Sequence, residues 1–218
     1  MTVFLFIAIA LVSYFLGGLN GAIITSRLVY RDDIRSHGSG NPGLTKFYRT
    51  YGGRSIFLLV LIDVLKTAIP VLAAGALLAQ FAPSDFVADP VILGRLWAGL
   101  FSMLGHAFPC LYHFRGGKCA LSGGTMVLLT SWQVFLVILV VFVLAIALTR
   151  YVSLGSVLAG LTLPFAFWML GFDRWIILLA ALCGALLFVR HLDNLGRLFR
   201  GEERRLSLGR RKDKGEDL

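Results

Sequence analysis

The chain has 218 residues, 57% of them hydrophobic and only 15% charged, a balance that water-soluble domains do not keep. Its net charge of +9 invites a nucleic-acid reading, but the Lys and Arg residues fall almost entirely in loops between apolar runs, which excludes a soluble basic face. Cys110, Cys119 and Cys183 are far apart and lie in or beside apolar segments without metal-ligand spacing, so they read as free thiols, with neither a disulfide framework nor a metal site.

The first apolar run, Val3 to Leu16, lacks a positively charged leader and reads as a retained span from about Thr2 to Ile24. The loop after it carries Arg27, Arg31, Arg35, Lys46, Arg49 and Arg54, which places it in the cytoplasm. Within it, Gly38, Gly40 and Gly43 alternate with Ser39 and Asn41, and Thr45, Lys46 and Arg49 follow. Backbone N–H groups freed by glycine, with cations close by, make a phosphate cradle. A flexible Gly/Pro turn with solvated charges is the plainer reading of the same residues.

A second span, about Ser55 to Ala79, contains Asp63 and Lys66 at i, i+3, read as an internal ion pair that props up the bundle. The connection Phe81 to Asp89 has acids and no Lys or Arg. A third span, about Val91 to Tyr112, carries Arg95 near its outer end and Gly105-His106 near its inner end, and leads to Phe114-Arg115-Gly116-Gly117-Lys118. The glycine pair can wrap donors around one phosphate, with Arg115 offering a fork and Lys118 a point charge. The spacing is not that of a Walker loop, and nothing suggests ATP hydrolysis.

The next apolar stretch, Ala120 to Leu148, has 29 residues, longer than one span of ~20 residues and shorter than two. Charge parity decides. One span there would send Arg190, Arg197, Arg200, Arg204, Arg205 and the basic residues after them outside, against the positive-inside rule. Two short spans meeting near Ser131 and Trp132 fit instead. Spans six and seven follow at about Val157 to Leu170 and Trp175 to Val189. Ser153, in the Arg150 to Ser156 stretch, reads plainly as a helix cap, and His191, Asn194, Leu195 and Leu198 share one helical face.

The expected fold is all-α: a polytopic membrane bundle of seven transmembrane helices, N-terminus outside and C-terminus cytoplasmic. Residues 1–198 form one integral-membrane domain and residues 199–218 a flexible basic tail. Every Lys and Arg is then cytoplasmic except Lys66 and Arg95 within spans and Arg174 outside. There is no internal repeat, so a transporter built from paired repeats has no positive support.

In this order the motifs resemble those of the PlsY family, bacterial membrane acyltransferases that move a fatty acyl group from acyl phosphate to glycerol 3-phosphate. The matching residues are Asp33 and Arg35 with Gly38 to Gly43, Asp63 and Lys66, Gly105-His106, Phe114 to Lys118, Ser153, and His191 with Asn194, Arg197, Gly201 and Glu203. The chain departs from the family pattern at Lys46, where Asn is usual, and at Cys119, where Gly is usual. If position 119 requires positive φ, a Cβ there is strained.

The resemblance implies two phosphorylated substrates, acyl phosphate and glycerol 3-phosphate, meeting at a groove on the cytoplasmic face of the bacterial plasma membrane, with no cofactor or metal. It assigns Ser39, Arg49, Lys118, Ser153, His191 and Asn194 to catalysis, and Gly38, Gly40, Asn41, Gly43, Thr45, His106, Arg115, Gly116 and Gly117 to substrate binding. Acyl phosphate is already activated, so positioning and charge neutralisation can supply much of the rate without a protein nucleophile. The substrate phosphate would then take up the hydroxyl proton, with His191 the less favoured base. Two other classes remain open: a small transporter of an organic phosphate, with Asp63, Lys66 and Arg95 lining the path, and a non-catalytic homologue that binds lipid.

Overall fold

The computed structural model describes residues 2–38, 40–82 and 88–206. Among them the structure is entirely helical. Helices α1 (Thr2–Gly17) and α2 (Gly21–Tyr30) form one apolar stretch with a short break between them, and α3 (Leu44–Tyr51) is a short amphipathic helix. Helices α4 (Ile56–Phe81) and α5 (Pro90–Ala107) follow, then α6 (Ala120–Thr130), α7 (Trp132–Thr149), α8 (Val152–Met169), α9 (Arg174–Val189) and α10 (Leu192–Phe199).

Helix α5 occupies the middle, packed against α1, α4, α6 and α9, while α8 joins α7 to α9. With no hydrophobic drive between helices in lipid, small residues set how closely they approach. At the α1/α5 crossing a Cβ on Gly105 would overlap the Tyr14 carbonyl oxygen, so glycine lets the two backbones touch. The outer surface is apolar: Phe4, Phe57, Met169 and Leu148 stand 77%, 75%, 77% and 83% exposed. Such a surface is stable against hydrocarbon and not against water. The chain is an integral membrane protein.

Five helical stretches are long and apolar enough to cross a bilayer: residues 2–30, 56–81, 90–112, 132–149 and 152–169. The α9/α10 pair, bent by 53°, makes a sixth if taken as one span. The ambiguous stretch breaks at Ser131, whose extended backbone ends α6 and whose hydroxyl accepts from the Val134 N–H at 3.4 Å to start α7. Helix α6, at 11 residues, is only about 16 Å long at the rise of an α-helix. The boundary expected after Leu198 falls inside α10. Residues 199–206 return to the bundle, with the Leu206 N–H donating to the Arg150 carbonyl at 2.7 Å. Residues 207–218 of the expected tail lie outside the described residues.

Candidate active site

Three polar segments meet at one end of the bundle around a cleft of ≈ 960 Å³, lined by Asp33 to Ser36, Gly40 and Asn41 from the first loop, Tyr112 to Lys118 from the second, and Arg190, Asp193 and Arg197 from the α9/α10 bend, with Ile34 and Gly117 standing behind it.

The first wall is built around Asp33. Arg35 grips its carboxylate through Nε at 3.0 Å and Nη2 at 2.8 Å, and Arg27 adds a bond at 2.9 Å. The Arg35 guanidinium holds the Asp33 carboxyl well below the usual carboxylate range. Arg35 also donates to the Tyr112 carbonyl at 3.3 Å and lies over the Tyr112 ring at 5.5 Å, which ties the first loop to the second. Gly38 and Gly40 take φ of 43° and 70°, the left-handed conformation that side chains resist. Phe47 anchors α3 in a small apolar cluster with Ile23, Ile34 and Leu59.

The second wall is the Gly116-Gly117 pair, fixed from both sides. Beneath it the Gly117 N–H donates to the His106 carbonyl at 3.0 Å, and a Cβ on Gly117 would overlap the His106 ring. Lys66 donates to His106 Nδ1 and to Asp63 Oδ1, each at 2.7 Å, and Asp63 also accepts the Gly21 N–H at 3.0 Å. Arg190 clamps the other side, donating to the Gly116 and Gly117 carbonyls at 3.1 Å each. Cys119 takes φ 65°, the strained case foreseen for a Cβ at that position. It starts α6 with its thiol donating to the Met103 carbonyl at 3.1 Å.

The third wall is a relay centred on Glu203. Its carboxylate accepts from Ser153 Oγ at 2.8 Å, Asn194 Nδ2 at 2.6 Å and Arg197 Nε at 2.9 Å. Burial pushes the carboxyl up, but these donors outweigh it and leave Glu203 below its ordinary range. Asn194 turns its other amide atom, Oδ1, to accept from Lys118 Nζ. Burial, reinforced by Arg197, pulls the Lys118 ammonium down to about 8. His191 is buried and donates Nδ1–H to the Leu187 carbonyl at 2.8 Å, which leaves Nε2 as an acceptor.

Of the residues singled out in the sequence, Gly40, Asn41, Arg115, Gly116 and Lys118 line the cleft. Gly117, Ser153, His191 and Asn194 are buried, Ser153 and Asn194 joined to Lys118 through the Glu203 relay. His106 supports the glycine pair from below. Gly38, Gly43, Thr45 and Arg49 do not line the cleft, and Arg49 is exposed on α3. Ser39 lies outside the described residues. The plain reading of Ser153 as a helix cap is corrected: Tyr151 takes that position, and Ser153 sits in the first turn of α8 with its hydroxyl on Glu203.

The family description "Glycerol-3-phosphate acyltransferase" matches residues 7–201. The chain belongs to that family. Its relatives include a glycerol-3-phosphate acyltransferase of Finegoldia magna, 36% identical over 92% of this chain and 96% of the relative, and one of Chlorobaculum parvum, 33% identical over 94% and 98%. The backbone is similar to crystal structures of PlsY, an integral membrane glycerol 3-phosphate acyltransferase. The glycerol 3-phosphate form has a TM-score of 0.80 at 29% identity, covering 93% of this chain and 96% of the other, and the lysophosphatidic acid form has 0.77 at 29%. The protein is therefore a membrane acyltransferase of this family.

Arg190, which the family motifs did not include, and Glu203, which they included without a role, are the side chains the site uses most. In the sequence Arg190 is one more positive-inside charge after an apolar helix. Glu203 is one of two acids among the four arginines from Arg197 to Arg205; an acid so surrounded, and its place in the family motif, are the signals that a carboxylate anchor was needed there.

Proposed function

We propose that the protein transfers a fatty acyl group from acyl phosphate to the sn-1 hydroxyl of glycerol 3-phosphate, giving 1-acyl-glycerol 3-phosphate and phosphate, the first step of bacterial phospholipid synthesis. The observation that carries this reading is the convergence of Lys118, Arg115 and the first-loop residues Gly40 and Asn41 on one cleft at the end of an apolar bundle. Two phosphates need cations and backbone donors, and an acyl tail needs hydrocarbon. The cleft supplies the first and the faces of the bundle the second.

In this mechanism the glycerol hydroxyl oxygen attacks the acyl carbonyl carbon, and the bond from that carbon to the phosphate oxygen breaks. The departing phosphate takes the hydroxyl proton and leaves as hydrogen phosphate. Lys118 neutralises phosphate charge as it develops, and the Asn194–Glu203–Ser153 relay holds Lys118 in place. His191 Nε2 accepts a hydrogen bond from the glycerol part. The charge distribution supports seven spans, an outside N-terminus and a cytoplasmic cleft at the plasma membrane, with α6 as a short span of its own. A transporter needs access from both faces, whereas the glycine-rich motifs cluster at one end.

The test is purified protein in lipid, given glycerol 3-phosphate with palmitoyl phosphate or palmitoyl-CoA, following lysophosphatidic acid and released phosphate. Product from palmitoyl phosphate alone is expected. Absence of product from either donor, in folded protein that binds glycerol 3-phosphate, overturns the enzyme reading for this chain.

A further inference from the structure

Asp32 and Asp33 stand side by side in the first loop and serve different partners. Asp33 lines the cleft and is held by Arg35 and Arg27. Asp32 does not line it, and its carboxylate gathers three donors of another kind. Oδ1 accepts the Asp33 N–H at 2.7 Å, and Oδ2 meets both the Tyr51 hydroxyl and His37 Nε2, each at 2.6 Å. A carboxylate only accepts, so Nε2 is a protonated nitrogen of that imidazole. The bond from Tyr51, with that from His37, holds the Asp32 carboxyl below its usual range.

His37 and Tyr51 are the two ends of one stretch of chain. From His37 the backbone reaches the cleft at Gly40 and Asn41, then enters α3, which ends at Tyr51. Packing does not fix the glycines that follow His37. A Cβ on Gly38 would meet nothing within 4 Å, and one on Gly40 only the Arg35 carbonyl at 3.7 Å. The Gly40 N–H instead donates to the His37 carbonyl at 3.1 Å, so where His37 is held, Gly40 follows. Tyr51 is anchored by stacking on Tyr30 of α2, ring centroids 4.3 Å apart, and by Phe47 at 5.0 Å. Asp32 is thus a clasp that ties the unpacked end of the stretch to its anchored end. The Asp32 and His37 side chains are 36% and 44% exposed, and an exposed pair of this kind adds little to global stability. Its effect is local.

Resting on the acyltransferase reading above, we propose that Asp32 is a positioning residue for the reaction. It touches no substrate, and through His37 and Tyr51 it sets where Gly40 and Asn41 stand in the cleft relative to Lys118 and Arg115. With the clasp closed, the first loop is ordered before substrate arrives. With the clasp open, part of the binding energy goes into ordering the loop, so the loss falls on KM and not on the chemical step.

The experiment compares wild type, Asp32→Ala, Tyr51→Phe and the double variant in lipid, in two arms. In the first, amide hydrogen exchange is followed in peptides covering the first loop. Asp32→Ala should exchange the Gly40 N–H faster than wild type while melting at the same temperature. Tyr51→Phe, which keeps its ring stacked and loses only the hydroxyl, should lie between the two. In the second arm, KM and kcat are measured for glycerol 3-phosphate and for palmitoyl phosphate. Asp32→Ala should raise at least one KM about tenfold, the scale of a hydrogen bond to a charged group, with kcat within about twofold. The double variant should be no worse than Asp32→Ala alone, because both changes open one clasp. Unchanged exchange, an unchanged KM for both substrates, or additive losses in the double variant each overturn the proposal. A lower melting point for Asp32→Ala also overturns it, by making the carboxylate a structural strut. If wild type gives no product, the reaction reading falls, and the exchange arm still decides whether Asp32 holds the loop.

Discussion

Lys66 and Lys118 are both lysines held by a neighbour inside one bundle, yet they do opposite work. Lys66 is 1% exposed and touches its carboxylate, Asp63, directly, with the His106 imidazole closing the other side. Lys118 meets an amide, and its nearest anchor, Glu203, stands one residue further off behind Asn194. A direct buried ion pair consumes the charge of both partners. An amide relay fixes a cation in place and leaves its charge to act on whatever enters the cleft. The first arrangement builds a floor for the glycine pair, and the second holds a cation ready for the phosphate that the proposed reaction brings to the cleft.

The largest effect that tests this contrast comes from Lys66→Met. It strands Asp63 as a buried unpaired charge and should cost about 3–5 kcal/mol of stability, read from unfolding in detergent. The double variant Asp63→Leu with Lys66→Met removes both charges and should recover most of that loss. Equal destabilisation in both would mean that shape, not charge, holds the floor. Lys118→Met should behave in the reverse manner, losing about 10²–10³ in kcat/KM, as when a charge-stabilising group is removed from an acyl-transfer site, with little change in melting temperature. A smaller effect is expected at Glu203→Ala. It releases Asn194, Ser153 and Arg197 together but leaves Lys118 in the cleft, so kcat/KM should fall about tenfold, the scale of one lost orienting hydrogen bond to a charged group. Simultaneous loss of stability in that variant would identify the relay as a strut for the α8/α10 junction instead.

The same contrast explains what could be read from the chain. Apolar runs and loop charges are one-dimensional signals, so the bundle, its helices and the break at Ser131 were legible from residue types and lengths. Glycine and cation clusters were legible too, because phosphate chemistry needs them in contiguous loops. What a charge is paired with is not contiguous. Glu203 reaches Ser153 across 50 residues and Arg190 reaches Gly116 across 74, and neither pairing leaves a spacing in the sequence. Where the Arg49 side chain stands was not legible for the same reason: on a short amphipathic helix, which face meets the cleft depends on the burial of Phe47 against Ile34 and Leu59, contacts made by distant parts of the chain.

The smallest effect is a pH dependence, and it separates the two lysines most cleanly. The Lys118 ammonium is pulled down to about 8, burial being the chief cause. A phosphate binds the protonated form, so affinity is complete below that value and falls as pH rises through it. A phosphomonoester has its second ionisation at about 6, so the ligand remains dianionic throughout and does not offset the loss. The KM for the substrate held by Lys118 should therefore be flat between about pH 7 and 7.5 and about tenfold higher one pH unit above the Lys118 midpoint, as expected for a single titrating site. Lys118→Arg keeps its charge over this range and should flatten the curve, even at a cost in absolute rate. A rise in KM that persists in Lys118→Arg would assign the titration to another group and remove the argument that an amide relay leaves the Lys118 charge free for substrate.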